Sequence, residues 1–195
     1  VFVQTPVDAI ITTAINTVSA VQVLTGVEKP GRHLTAEEIQ YLKPIFGNSI
    51  DYSLVTIKTG SAGLFNNNDR AFVNGNTIYM KNNDFTSEDG RKRLVHEMTH
   101  IWQNQNGGTD YLTESQWSQW FGAGYTWTQS ISQTPWNKLQ VEQQAQFLED
   151  AYASGFLNPD STHYMKEFIH KKNGINYTEY CREVLGQLES GQGAT

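Results

Sequence analysis

Apolar positions along the chain follow two periods. Between residues 7 and 24, Val, Ile, Ala and Thr recur in a mixture that predicts a helix, weakened by its β-branched content; Glu28-Lys29-Pro30-Gly31 breaks it. Thr35-Ala36-Glu37-Glu38 has the form of a capping box, and Ile39, Leu42, Ile45 and Phe46 carry helical spacing behind it until Gly47. The period then shortens to two. Tyr52 to Ile57 reads as a strand, residues 60–69 as a Gly/Asn loop, and Ala71-Phe72-Val73 and Thr77-Ile78-Tyr79-Met80 as two short strands joined by an Asn74-Gly75-Asn76 turn. Helical spacing returns at Leu94, Met98, Ile101 and Gln105, flanked by Val95 and Trp102. Thr86-Ser87-Glu88-Asp89 supplies a start with Thr86 as N-cap, and Asn106-Gly107-Gly108 supplies a stop, so a helix is predicted over 87–105. Further helices are predicted over 137–154, 160–172 and 177–188, and a flexible tail over 186–195.

The helix over 87–105 carries His96-Glu97-Met98-Thr99-His100, an H-E-x-x-H motif. Positions four apart on a helix share a face, so both imidazoles can reach one ion. Zn²⁺ accepts neutral imidazole nitrogen and, with three protein ligands, keeps an open position for water. Glu97 follows the first ligand and can act on that water as general base. By chance the motif turns up in roughly one sequence in a hundred of this length, so its helical context is what gives it weight. A small sheet followed by such a helix predicts an α+β, zincin-like fold: an antiparallel-rich sheet packed on the motif helix, then a mainly helical C-terminal half. No linker or repeat divides the 195 residues, so a single domain is expected over 1–195, with 1–30 as an N-terminal helix and linker.

Composition narrows the alternatives. A net charge of -6 argues against a nucleic-acid partner and against a surface held to anionic lipid. Cys181 is the only cysteine, which excludes an intrachain disulfide and a Cys-based zinc site and leaves His and carboxylate as ligands. Cys181 itself is expected to be an inert helix residue. No apolar run approaches the ~18 residues of a membrane span. Val1-Phe2-Val3-Gln4 lacks both a Met and a basic region, so it is not a signal peptide, and the chain is expected to be a processed product or an excised piece.

Two histidines leave a catalytic zinc site one protein ligand short. Gln103 and Asn106 stand where metzincins, H-E-x-x-H-x-x-G-x-x-H, carry Gly and His, which excludes that class. The glutamate class draws its third ligand from a later helix. Glu142 leads, because Ala145 one turn on would allow close approach of the two helices; Glu149 and Asp150 compete. Many enzymes of that class carry an Asp four residues after the third ligand to orient a ligand histidine; here the position is Gln146, whose carbonyl can do the same more weakly. For the oxyanion, Tyr125, Tyr152, His163 and Tyr164 remain open. His33 and His170 are expected at the surface. Residues 109–136 contain Trp117, Trp120, Trp127 and Trp136, which fit either a lid or substrate wall or, the favoured reading, aromatic packing onto the core.

Leu34-Thr35-Ala36-Glu37-Glu38, Pro44 to Tyr52, Gly75 to Tyr79, Leu94 to Gln103 and Glu142-Gln143-Gln144-Ala145 together resemble a bacterial family of HExxH zinc metallopeptidase domains. These are attached to type VI secretion spike proteins of the valine–glycine repeat type, or encoded near them. The resemblance covers most of residues 34–150. It implies a zinc-dependent antibacterial effector delivered to the periplasm of a target bacterium, with His96, His100 and Glu142 as metal ligands and Glu97 as base. It further implies a protein or envelope peptide substrate, attachment to a secretion spike and a cognate immunity protein. Two alternatives stand beside it: a peptidoglycan peptide hydrolase, and a zinc-containing binding module without turnover.

Overall fold

The structure, a computed structural model, describes residues 30–59, 71–80, 84–107, 126–128, 134–158 and 165–195 and part of 13–24. Its elements in chain order are β1 (Arg32–His33), α1 (Ala36–Phe46), β2 (Thr56–Thr59), β3 (Phe72–Asn74), β4 (Thr77–Met80), α2 (Glu88–Asn106), α3 (Val141–Ala153) and α4 (Thr178–Glu189). The described residues between 13 and 24 are helical. This is a mixed α+β architecture: one small sheet and several helices.

The sheet runs β1-β2-β4-β3. β1 pairs β2 antiparallel, β3 and β4 form an antiparallel hairpin, and β2 joins β4 in parallel, Ile57 opposite Ile78. Gly75 sits at φ 57 in the hairpin turn, a backbone region that glycine enters without steric cost. Ile57, Val73 and Ile78 alternate inward into a core shared with Leu42, Ile45 and Phe46 of α1. The strand expected from Tyr52 is displaced. Asp51 caps Ser53 through its carboxylate and turns Tyr52–Leu54 into a single 3-10 turn, so pairing begins only at Thr56.

α1 carries the expected capping box. Thr35 Oγ1 accepts from Glu38 N at 3.1 Å, and Glu38 accepts from Thr35 N at 2.8 Å. Arg32 adds a forked pair to the same carboxylate at 2.7 and 2.8 Å, which ties β1 to the start of α1.

α2 begins one residue later than predicted. Ser87, not Thr86, is the N-cap, accepting from Gly90 N at 3.1 Å, because Asp84 takes the Thr86 hydroxyl and N–H for itself. Gly90 is required here: a Cβ on it would lie 2.1 Å from Asp84 O. Every residue from Leu94 to Gln103 is buried, so α2 is a central helix covered on all sides.

The C-terminal half departs most from expectation. The helix predicted from residue 137 starts at Val141, preceded by a 3-10 turn over Trp136–Lys138. The helix predicted over 160–172 is not formed in its described part. Residues 165–176 instead double back, with Ile169 bridging Asn176 and a turn through Asn173-Gly174, where Gly174 has φ 69. The segment expected as a free tail is helical through Glu189, and beyond it Gly193 O accepts from Gln144 at 2.8 Å. Trp102, Trp127 and Trp136 are all buried in the core, in line with the packing reading; Trp117 and Trp120 fall outside the described residues, as do the loop over 60–69 and residues 1–12. Cys181 is buried, and burial pushes its thiol up to about 12, which keeps it inert. Among the described residues no helix is long and apolar enough to cross a membrane.

Candidate metal centre

The α2–α3 pair builds the site. One turn of α2 presents His96 and His100 with their ring centroids 5.0 Å apart and nearly perpendicular. α3 runs alongside and brings in Glu142 from its first turn, with Ala145 fully buried one turn on. Glu142 Oε2 lies 3.3 Å from His96 Nε2 and 3.5 Å from His100 Nε2. The three donor atoms fall within 4.8 Å of one another, all on buried side chains. Among the described residues this is the one group of His, Cys, Asp or Glu so arranged. The sequence expectation that Glu142 joins the two histidines therefore has the required juxtaposition.

The competing carboxylates sit elsewhere. Glu149, two turns along α3, lies against the far side of the His96 ring, 3.0 Å from Nδ1. It pairs with the Nδ1 side of that ring rather than sharing its Nε2 face. Asp150 accepts from Trp127 Nε1 at 2.7 Å and Gln146 Nε2 at 3.1 Å, and lies 3.6 Å from His170 Nε2. Its role is to hold Trp127 onto α3. Gln146 is thus engaged with Asp150, not with a ligand histidine as the i+4 position suggested. His170, expected at the surface, is buried beside the Trp127 ring at 4.7 Å; His33 is exposed as expected. Tyr152 is buried against Tyr41, and ten residues of helix separate it from Glu142, roughly 15 Å at the usual rise. Tyr125, His163 and Tyr164 lie outside the described residues.

Sequence reasoning missed the groups behind His100. Its Nδ1 meets Gln103 Oε1 at 2.8 Å, and Gln103 Nε2 donates to Val141 O at 3.0 Å and Gln144 Oε1 at 2.8 Å. Gln144 Nε2 in turn donates to Trp136 O and Gly193 O, both at 2.8 Å. The available signal was helical spacing, since Gln103 is three residues after His100 and so lies on its face.

The electrostatics call for a cation. Burial works against a charged His96 ring, yet Glu142, Glu149 and the charge of Glu97 outweigh it and hold the imidazole up at about 10. Burial likewise works against an ionised Glu142, but His100 and His96 hold its pKa well below the usual carboxylate range. Glu97 is raised, first by burial and further by the Glu142 and Glu149 charges, against the pull of the two histidines. Three carboxylates thus converge around one imidazole, a setting that favours positive charge at His96. Glu142 Oε2 is buried and makes no hydrogen bond of normal geometry, although it points between two nitrogens. A carboxylate oxygen left in this way, facing two Nε2 atoms, is a donor set that fits a metal ion with affinity for imidazole and carboxylate.

The chain resembles known proteins in sequence and in shape. The eCIS core domain family matches residues 33–108, which end just past the H-E-x-x-H helix. The type VI secretion system spike protein VgrG2b of Pseudomonas aeruginosa is 33% identical over 84 residues, 40% of this chain and 8% of the spike protein's length. The solved effector domain of P. aeruginosa VgrG2b superposes with a TM-score of 0.55 at 28% identity, over 73% of this chain and 86% of that one. The chain is homologous to the VgrG2b effector domain. The likeness to the solved domain extends beyond the N-terminal block that the family match covers, so it takes in part of the helical C-terminal half as well.

Proposed function

We propose that this chain is a zinc-dependent metallopeptidase of the glutamate-ligand class with a zincin-like packing of sheet on helix, serving as a type VI secretion effector. The observation that carries the enzymatic reading is the buried meeting of His96 Nε2, His100 Nε2 and Glu142 Oε2 within 4.8 Å, with Glu97 next in sequence to the first of them. Homology to the effector domain of a secretion spike supports delivery into a rival cell. The periplasm as destination, a spike as carrier and an immunity protein as partner belong to the same proposal.

His96, His100 and Glu142 would hold the ion. When bound, zinc polarises the scissile carbonyl and lowers the pKa of a water toward about 7. Glu97 does the proton work. Its buried carboxylate has a raised pKa, so it accepts a proton more readily than an exposed Glu. It takes the proton from the attacking water at its carboxylate oxygen, then returns it to the leaving amine nitrogen. Glu149 and Gln103 hold the two rings so that their Nε2 atoms face inward.

A peptide bond in a protein is favoured over a peptidoglycan cross-link. A substrate wall of aromatic rings, able to stack on the sugars of peptidoglycan, finds no support in the described tryptophans: Trp127 and Trp136, like Trp102, are core residues at most 2% exposed. Cleavage of a denatured protein, with purified sacculi left intact, is the expected pattern; the reverse pattern would reassign the substrate. Glu97→Gln should keep stoichiometric zinc by elemental analysis and lose about 10²–10⁴-fold in kcat. Full turnover in that variant would end the general-base mechanism. Zinc bound with neither substrate cut would make the chain a binding module.

A further inference from the structure

We infer that Gln103 and Gln144 are positioning residues that lock His100 in the Nδ1–H tautomer and so make Nε2 its metal-binding atom. This rests on the metal-centre reading above, but the argument for the tautomer does not.

The argument starts from backbone carbonyls, which only accept. Gln144 lies between Trp136 O and Gly193 O, each 2.8 Å away, so its amino group must point at both and both of its protons are used. Its carbonyl oxygen is then the atom left to face Gln103, which must present an N–H to it at 2.8 Å. The second proton of Gln103 goes to Val141 O at 3.0 Å. With its amino group fully used, Gln103 can turn only its carbonyl oxygen toward His100, 2.8 Å from Nδ1. A carbonyl cannot donate, so Nδ1 must carry the hydrogen. The neutral ring then has its lone pair on Nε2, the nitrogen 3.5 Å from Glu142 Oε2. The direction of every bond is set by three peptide carbonyls, drawn from the 3-10 turn before α3, the first residue of α3 and the segment after α4.

Two features make the lock effective. Gln103 and Gln144 are both fully buried, so water does not compete for these bonds. The relay is also uncharged. An amide in this position orients the ring without adding a third carboxylate's desolvation to an interior that already holds Glu97 and Glu142.

The first test uses the unaltered protein. After chelator treatment at a pH where His100 is neutral, long-range proton–nitrogen NMR on ¹⁵N-labelled protein should report a protonated Nδ1 and a bare Nε2 for His100. The opposite tautomer overturns the proposal whether or not zinc binds. The second test titrates Zn²⁺ against a competing chelator. Gln103→Met should weaken zinc about 10–100-fold, with Nε2–H appearing in the NMR spectrum of the metal-free form. Gln144→Met, one bond further from the ring, should weaken it by less. Folded variants with unchanged zinc affinity and unchanged tautomer would reduce the two glutamines to packing residues. Should the variants not fold, the tautomer of the unaltered chain decides alone. Failure of that chain to bind zinc, with the Nδ1–H tautomer observed, would sink the metal centre and leave the lock standing.

Discussion

His96 and His100 are one helical turn apart and are held by different physics. His96 sits at the partly open side of the site, and its Nδ1 is met by a carboxylate, Glu149, with 21% of that side chain exposed. His100 lies deeper, with 3% of its side chain exposed, and its Nδ1 is met by an amide in a closed network of peptide carbonyls. Near the surface a carboxylate keeps part of its hydration, so charge is an inexpensive way to orient a ring. In the interior a further ion would carry a large desolvation cost, so orientation comes from a neutral relay in which every amide proton has a partner. The difference shows that the chemistry of a supporting group follows from its depth as much as from its task.

The largest expected effect ignores this difference. His96→Ala and His100→Ala should each abolish stoichiometric zinc, measured by elemental analysis after dialysis, because either loss leaves two ligands. Retention by one variant and not the other would mean that the two rings are not equivalent ligands.

The next effect separates the two sides. Glu149→Ala should weaken zinc about 10–100-fold by chelator competition, whereas Glu149→Gln, which keeps an acceptor and removes only the charge, should weaken it less. Equal losses would show that charge, not orientation, is what Glu149 supplies.

pH sharpens the comparison further. In metal-free protein the His96 pKa is raised from 6.5 to about 10, so the stability from its carboxylate partners is full below pH 6.5 and is lost as pH rises toward about 10. Thermal melts of chelator-treated protein should fall across that window. On the zinc proposal the ion would replace the proton as the positive charge, so melts of loaded protein should fall less. Parallel decline in both forms would break the account.

The smallest effect serves as a control outside the site. Glu38→Ala removes the Arg32 pair and half of a capping box, and should cost about 1 kcal/mol of stability with zinc affinity unchanged. Burial opposes ionisation of Glu38, but Arg32 and Thr35 lower its pKa on balance. The contribution is therefore present above its ordinary 4.5 and lost as pH falls through the lower folded value. Denaturant melts at pH 7 and in acid should show the variant's deficit shrinking in acid.

The parts legible in the sequence were those whose geometry is local. Helical spacing puts His96 and His100 on one face wherever the helix packs, and the Thr35–Glu38 box closes within a single turn. The hairpin through Gly75 is equally local. The misses are instructive in the same terms. The Thr86 cap was lost to a neighbouring Asp84, and the strand from Tyr52 was lost to an Asp51 turn, both short-range competitions for the same backbone groups. In its described part the helix expected over 160–172 is replaced by a bridge from Ile169 to Asn176 across the Asn173-Gly174 turn, a pairing that local helical spacing does not reveal.

By itself the sequence determined an H-E-x-x-H helix, a small strand block ahead of it and a later helix rich in candidate carboxylates. Only the tertiary structure decided among those carboxylates. Glu142 reaches the Nε2 atoms, Glu149 backs His96, Asp150 turns away to Trp127, and Gln103 becomes a support for His100. The reason is physical. An i to i+4 relation is fixed by the helix itself, but which side chain of a second helix meets it depends on the rotation and depth at which the two pack, and that is settled by apolar burial across the whole core.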